Sequence, residues 1–307
     1  MLELSEKILE YYQTRKTKSQ KTSFIKLMQE NYPELKIEEG GLVKNRNLIL
    51  GDVETAKTVV TAHYDTCARL PFPNFIAPKL FRPRNTIIFY LIILFLAVIV
   101  SVFFRVSGVD FSLSGNFNNV FFYALLLFLL GLIFLVFFGK PNEHTANDNT
   151  SGVIGLIEIY GKLSEEERKN VALVFFDNEE YGLFGSAFFK KMHKEVMEEK
   201  FLINLDCISD GDFIMLVESK KINRFEMDKF KDSIKDTGKK KFLYETYKTA
   251  IYPSDQIHFN NALGICALNY KKGIGYYMSR IHTKRDTVFE KENIELITNT
   301  IANYVKY

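Results

Sequence analysis

The sequence predicts a three-layer α/β/α protein, a mostly parallel mixed sheet between helices, interrupted by a two-helix transmembrane hairpin. Two observations predict it. Short apolar runs fit for burial alternate with amphipathic helical patterns along most of the chain, as strands joined by crossover helices do. Two windows, residues 86–104 and 120–138, each run for nineteen residues without a charge.

Residues 1–32 read as two amphipathic helices ended by Pro33, which cannot continue a helix. The start of the chain, 1–18, is charged and has no apolar core, so no secretory signal is expected there. Strands are expected at 47–50, 58–62, 171–176, 201–206, 213–217 and 265–268, mostly apolar enough for burial on both faces. Helices are expected at 151–163, 183–198, 222–237, 254–262 and 293–304, and the lysines at 239–241 read as a solvated loop.

Each uncharged window forms a helix of about 28 Å, close to the hydrocarbon thickness of a bilayer. The connector 105–119 is short and polar with Gly108 and Gly115, which makes the pair a hairpin. Lys79, Arg82 and Arg84 precede it and Lys140 follows it, whereas the connector carries only Arg105, offset by Asp110. The positive-inside rule then places both flanks, and with them both termini, on the cytoplasmic side of a cell membrane. The odd cysteines Cys67, Cys207 and Cys266 lack paired spacing and agree as free thiols of a reducing compartment. The chain thus divides into 1–69, a membrane insertion at 70–140, and 141–307. Residues 70–84 mix Pro, Leu and Phe with Lys and Arg, as a stretch at the bilayer interface does. A net charge of +3 with no basic stripe excludes a nucleic-acid partner. Two uncharged helices offer a transporter no polar path.

Acidic and imidazole groups sit where the predicted strands end, the usual place for a site in an open α/β sheet. The run from Thr58 ends in His63-Tyr64-Asp65, the run from Val171 in Asp177-Asn178-Glu179-Glu180, and the run from Leu202 in Asp206. Singly, each has a bland reading: a satisfied core histidine, a solvated turn, a helix cap. Apolar strands ending in carboxylates are costly, however, unless the charges are paired or bind metal.

Five stretches in order carry a resemblance: Ala62-His63-Tyr64-Asp65, Ala146-Asn147-Asp148-Asn149-Thr150-Ser151-Gly152, Glu179-Glu180-Tyr181-Gly182-Leu183-Phe184-Gly185-Ser186, Asn204-Leu205-Asp206 and His282-Thr283-Lys284-Arg285-Asp286-Thr287. Together the set resembles the co-catalytic di-zinc exopeptidases of peptidase family M28. These include bacterial leucyl aminopeptidases, aminopeptidase Y, glutamate carboxypeptidases and glutaminyl cyclases. The resemblance implies two Zn²⁺ ions, with His63 and Asp206 on one, Glu180 and His282 on the other, and Asp148 bridging both. It implies a peptide substrate, hydrolysed by a water held between the ions, with Glu179 as the general base. It gives Asp65 the part of orienting the His63 imidazole and places a non-proline cis peptide at Asp148–Asn149. Ser254-Asp255 resembles a further family stretch, with Gln256 where a His is usual. Tyr252 and Tyr277 are both candidates to stabilise the tetrahedral intermediate. His144, His193 and His258 match no motif and read as structural or surface residues.

The departure from the family is the hairpin, which stands where a short loop normally joins Asp65 to Asp148. Ten residues separate Phe138 from Asp148, a tether of at most ~33–36 Å, so the site is expected beside the membrane. The expected function is a membrane-anchored zinc metallopeptidase, an aminopeptidase acting on short or membrane-delivered peptides. The alternatives are a glutaminyl cyclase-like acyltransferase and a non-catalytic membrane scaffold.

Overall fold

A computed structural model describes residues 1–71, 74–79, 130–131, 134–135 and 137–306 of the chain. The expected membrane helices, 86–104 and 120–138, lie outside the described residues, except that the described part of 130–138 is helical. Among the described residues no helix is long and apolar enough to cross a membrane.

The apolar runs form the middle of one nine-stranded sheet, ordered β1-β2-β4-β3-β5-β8-β6-β7, with β9 paired to β8. Its centre is β4 (Val171–Phe176), β3 (Thr58–His63), β5 (Phe201–Leu205) and β8 (Ala262–Lys271), mutually parallel. Around them β1 (Lys36–Gly40), β2 (Asn45–Leu50), β6 (Phe213–Glu218) and β9 (Gly275–Tyr277) pair antiparallel, while β7 (Lys241–Thr246) runs parallel to β6. The expected mostly parallel sheet is therefore evenly split, four ladders of each kind. The unexpected strands are β1, β7 and β9. Their charged or half-exposed residues hide them, because an edge strand needs no apolar run.

Alternation along the central strands feeds a core on each face. Val60, Leu173, Phe175 and Ile203 point one way, onto α1 (Glu3–Tyr11), α2 (Lys18–Asn31), α3 (Gly152–Lys162) and the C-terminal helix Lys291–Lys306. Val59, Val174, Phe176 and Leu202 point the other way, onto Phe189, Met197 and Phe259. Each such side chain contributes ~1.5–3 kcal/mol through burial. The break between the first two helices is fixed by Thr17. Its hydroxyl accepts the Gln20 N–H at 3.3 Å, while the Gln20 side chain accepts the Thr17 N–H at 2.9 Å.

Three expected helices differ. The pattern at 183–198 breaks at His193 into two short helices, Phe184–Met192 and Lys194–Met197. The pattern at 222–237 is helical only over Arg224–Asp232. The pattern at 254–262 gives a single turn, Asp255–His258, before β8 begins. There Ser254 and Gln256 both accept from the Asn204 amide, which ties the turn to β5. The loop at 239–241 is not solvated throughout: Lys240 is buried and its ammonium reaches Asp212, Glu290 and the Gly211 carbonyl.

The chain segments on either side of residues 70–140 meet in a closed neck. Ala68 bridges Pro141, and the Arg69 N–H donates to the Lys140 carbonyl at 2.9 Å. Beyond the neck a strap, residues 74–79, turns back onto the domain. Ile76 and Met278 exchange both backbone hydrogen bonds at 2.9 Å, and the Ile251 N–H donates to the Pro78 carbonyl at 2.9 Å.

The second glycine of the Glu179–Ser186 stretch also has its reason here. A Cβ on Gly185 falls 2.0 Å from the Asp177 carbonyl oxygen and 2.7 Å from its nitrogen. Gly185→Ala is expected to lower stability by ~1–3 kcal/mol, read from the urea midpoint, because backbone must move to admit the methyl group. An unchanged midpoint contradicts this packing.

Candidate metal centre

The carboxyl ends of β3, β4 and β5 deliver His63, the Asp177–Glu180 turn and Asp206 to one side of the sheet. Two further loops complete the group. A wide turn, Ala146–Ser151, carries Asp148, and the loop after β9 carries His282. The structure brings all seven sequence-predicted residues together. His63 Nε2 lies 3.5 Å from Asp148 Oδ1, 3.6 Å from Asp206 Oδ1 and 4.0 Å from Glu179 Oε2. His282 Nε2 lies 2.9 Å from Asp148 Oδ2 and 3.3 Å from Glu180 Oε2. Asp148 thus stands between the imidazoles with one oxygen toward each, the posture of a bridging carboxylate. The Asp148–Asn149 peptide is cis.

Backbone anchors hold these side chains, and several were given no part by the sequence. Asp65 accepts the Glu179 N–H at 3.0 Å and the Glu180 N–H at 3.2 Å, so its carboxylate fixes the turn that presents both glutamates. The His63 Nδ1 meets the Asp65 carbonyl oxygen at 3.1 Å, while the carboxylate stands 3.6 Å away. Asp286 does for Asp148 what Asp65 does for the glutamates, accepting the N–H groups of Asn147 at 2.9 Å and Asp148 at 3.0 Å. It stood within a quoted stretch, but only its burial and its two bonds show what it does. Asn149 receives the N–H groups of Gly152 and Cys207, and donates to the Leu205 carbonyl. His282 has φ of 59°, a left-handed conformation costing ~1–2 kcal/mol, and its carbonyl is held by the Leu70 N–H at 2.8 Å.

Of the two tyrosine candidates, Tyr252 lines the cavity and donates to the Asp206 carbonyl at 3.1 Å. Tyr277 instead stacks on Phe75, with centroids 5.5 Å apart. Asp255 is fully buried beyond the group, and burial pushes its carboxyl up to about 7. His193 pairs with Glu38 at 2.8 Å, His144 is exposed, and His258 is half-buried; none joins the cluster.

The electrostatics ask for positive charge. Burial raises Glu179 well above the carboxylate range and Glu180 to about 8. Burial alone lowers imidazoles, yet the carboxylates facing them win: His282 is pushed up to about 9, and His63 also rises. Asp148 moves the other way, since its hydrogen bonds to His282 and His63 outweigh its burial. Glu180 Oε1 and Asp206 Oδ1 are buried without a hydrogen-bond partner. Imidazole nitrogen and carboxylate oxygen are donors that suit Zn²⁺, and orphaned buried oxygens facing inward fit a cation. Donor atoms of His63, Asp148 and Asp206 lie within 4.8 Å of one another, as do those of Asp148, Glu180, His282 and Cys67.

The group opens into a cavity of about 330 Å³. Its other walls are apolar, with Phe75, Ile76 and Ala77 from the strap facing Ile251, Pro253 and Ile281. Tyr181, next to Glu180, stacks on Phe137 at 5.2 Å, and its hydroxyl accepts from Lys16 at 2.8 Å. The end of the 130–138 segment therefore rests on the loop that carries the glutamates.

Outer-shell carboxylates of this kind govern how firmly the inner set is held. Asp286→Asn and Asp65→Asn each exchange one acceptor oxygen for an amide donor, breaking one of two backbone bonds. Each is expected to weaken zinc binding ~10–100-fold, measured by competition with a chromophoric chelator. Wild-type affinity in both variants contradicts the anchoring described.

No curated protein matches the chain. Among solved structures, *Porphyromonas gingivalis* glutaminyl cyclase superposes with a TM-score of 0.58 at 12% identity, over 99% of this chain and 95% of that one. An Acidobacteriales bacterium glutaminyl cyclase gives 0.56 at 15% identity, over 99% and 91%. The LapA aminopeptidase of *Legionella pneumophila* gives 0.53 at 11% identity, over 99% and 67%. At such identities the likeness is one of fold. Residues 136–305 match the model of Peptidase family M28, a segment holding Asp148, Glu179, Glu180, Asp206 and His282. His63 and Asp65 lie outside it and reach the same site through β3. The chain belongs to peptidase family M28.

Proposed function

We propose that the chain is a zinc aminopeptidase that removes apolar residues from the amino ends of peptides. The observation that carries this reading is the lining of the cavity. Its polar wall is His63, Asp148, Glu179, Glu180, Asp206 and His282, and no Lys or Arg lines it among the described residues. A free α-ammonium finds carboxylates there, whereas a terminal carboxylate finds no cation. The apolar wall accepts the adjoining side chain.

His63, Asp148 and Asp206 would hold one ion, and Asp148, Glu180 and His282 the other. Bound there, the ions supply Lewis acidity toward water and the scissile carbonyl. The protein's own part is proton transfer and positioning. Glu179 has a side chain 14% exposed and stands beyond hydrogen-bond distance of His63, free to face a substrate. Its burial raises its basicity, which suits it to take a proton from the attacking water and return it to the leaving amine. Asp65 keeps Glu179 and Glu180 at fixed positions through their backbone.

We further propose that residues 70–140 form a membrane insertion between two segments of one catalytic domain, 1–69 and 141–307. The two uncharged windows support it, and so does the closed neck at Arg69 and Lys140. The apolar Leu130, Phe134, Phe137 and Phe138 are exposed beside the neck, as expected of a surface facing lipid. The basic flanks favour a catalytic domain in the cytoplasm. A cavity walled by the strap would then receive peptides held at the bilayer.

Three experiments test these readings. A peptide library incubated with the purified protein, with and without chelator, should lose amino-terminal residues only without chelator. Glu179→Gln should lower kcat by ~10²–10⁴ with metal content kept, and Glu180→Gln should lose metal. Loss of ammonia from amino-terminal glutamine in place of residue removal would establish the cyclase alternative. No turnover at all would favour a scaffold. For topology, the native cysteines are buried, so Ser112→Cys gives a single reactive reporter in the connector. It should be labelled by an impermeant reagent from outside intact cells; labelling only from the cytoplasm overturns the orientation.

A further inference from the structure

We propose that Cys67 is a fourth protein ligand of the ion held by Asp148, Glu180 and His282, so that the two ions of the centre are held unequally. The inference rests on reading this cluster as a divalent-metal centre. Cys67 follows β3 by four residues, and its surroundings fix it firmly. Its carbonyl accepts the Asn142 N–H at 3.1 Å, and Ala68 beside it bridges Pro141. Leu70, three residues on, donates to the carbonyl of His282 itself. The residue is 3% exposed, and its sulfur lies with donor atoms of Asp148, Glu180 and His282, all within 4.8 Å of one another.

A second observation points to a ligand at the same place. Glu180 Oε2 faces His282 at 3.3 Å, but Oε1 of this side chain, only 7% exposed, has no hydrogen-bond partner. A buried carboxylate oxygen left without a partner is costly, and a cation beside Cys67 supplies one. The donor chemistry then separates the two positions. Bonds of about 2.3 Å to sulfur and 2.0–2.2 Å to nitrogen and oxygen place the ligands of one ion roughly 3.3–3.8 Å apart. In the Cys67 set no two donor atoms stand more than 4.8 Å apart, and His282 Nε2 already lies 3.3 Å from Glu180 Oε2. One thiolate, one imidazole and two carboxylates complete a tetrahedron, the closed coordination of a structural site. His63, Asp148 and Asp206 offer only three groups, and the open position belongs to water or substrate. The family resemblance leaves both ions short of four protein ligands; this chain closes one. Binding forms a sulfur–metal bond as the thiol gives its proton to solvent. The soft sulfur favours zinc or cobalt over magnesium or manganese. Cys207 lines the same cavity beside Asp206 but joins no such donor set among the described residues.

Cobalt reports thiolate ligation directly, through a sulfur-to-metal charge-transfer band in the near ultraviolet. The full chain purified in detergent is stripped of metal and titrated with Co²⁺, as wild type and as Cys207→Ser/Cys266→Ser, in which Cys67 is the sole thiol. In both, the band should grow with the first equivalent and stop, while peptidase activity should rise with the second. Cys67→Ser should abolish the band and weaken the first zinc by more than ~100-fold, beyond the cost of losing an outer-shell partner. Two bound equivalents without a charge-transfer band overturn the assignment of Cys67 and leave the metal centre standing. No bound cobalt overturns the metal centre itself. The band in the double variant decides the question without altering Cys67, whatever Cys67→Ser does to folding.

Discussion

Four carboxylates buried against two imidazoles form the constraint around which this molecule is built. Asp148, Glu179, Glu180 and Asp206 stand close enough to repel one another, and burial penalises the charge of both glutamates further. The carboxylates facing His63 and His282 push both imidazoles upward, and burial pushes Glu179 and Glu180 the same way. Such a cluster persists only because the surrounding backbone leaves the side chains nowhere else to go. Two aspartates outside the cluster do most of that holding, each by accepting two consecutive backbone N–H groups.

The sheet explains why the holding is rigid. Parallel β3, β4 and β5 end side by side, so a histidine and two acidic segments arrive at one level without any loop having to reach. Beneath them lie strands buried on both faces, which resist the outward relaxation that charge repulsion would drive. Buried cations reinforce the same region. Arg15 donates to the carbonyls of Tyr64 and Tyr12 and to the Thr150 hydroxyl, and Lys21 reaches Asp177 at 2.5 Å. The N-terminal segment thereby fastens the stretches that carry His63 and Asp148.

The described residues of the segment between Asp65 and Asp148 meet this centre at three points. Its neck hydrogen-bonds beside Cys67, its strap walls the cavity, and Phe137 at its far end lies on Tyr181. What separates Asp65 from Asp148 in sequence is therefore also part of the site's surroundings. The cavity is thus walled both by the strap and by the cluster of carboxylates and imidazoles.

The central strands were legible in the sequence because they obey a local rule, and His63, Glu180 and Asp206 stood out at the charged ends of such runs; only the family resemblance added Asp148 and His282 to the candidate ligands. A strand buried on two faces must be a short apolar run, and a charge ending such a run demands a partner. The edge strands β1 and β7 followed no such rule, since half-exposed pairing tolerates lysine and glutamate. The turn at Asp255–His258 read as a helix because its pattern cannot reveal that Asn204 on β5 claims Ser254 and Gln256. The sequence alone determined which residues carry charge into the core and in what order they come. Tertiary structure alone decided that Asp286 supports Asp148, that Tyr252 and not Tyr277 lines the cavity, and that Cys67 lies beside Asp148, Glu180 and His282. Each of these depends on segments far apart in the chain meeting at a few ångströms, and no spacing along one strand or helix encodes that distance.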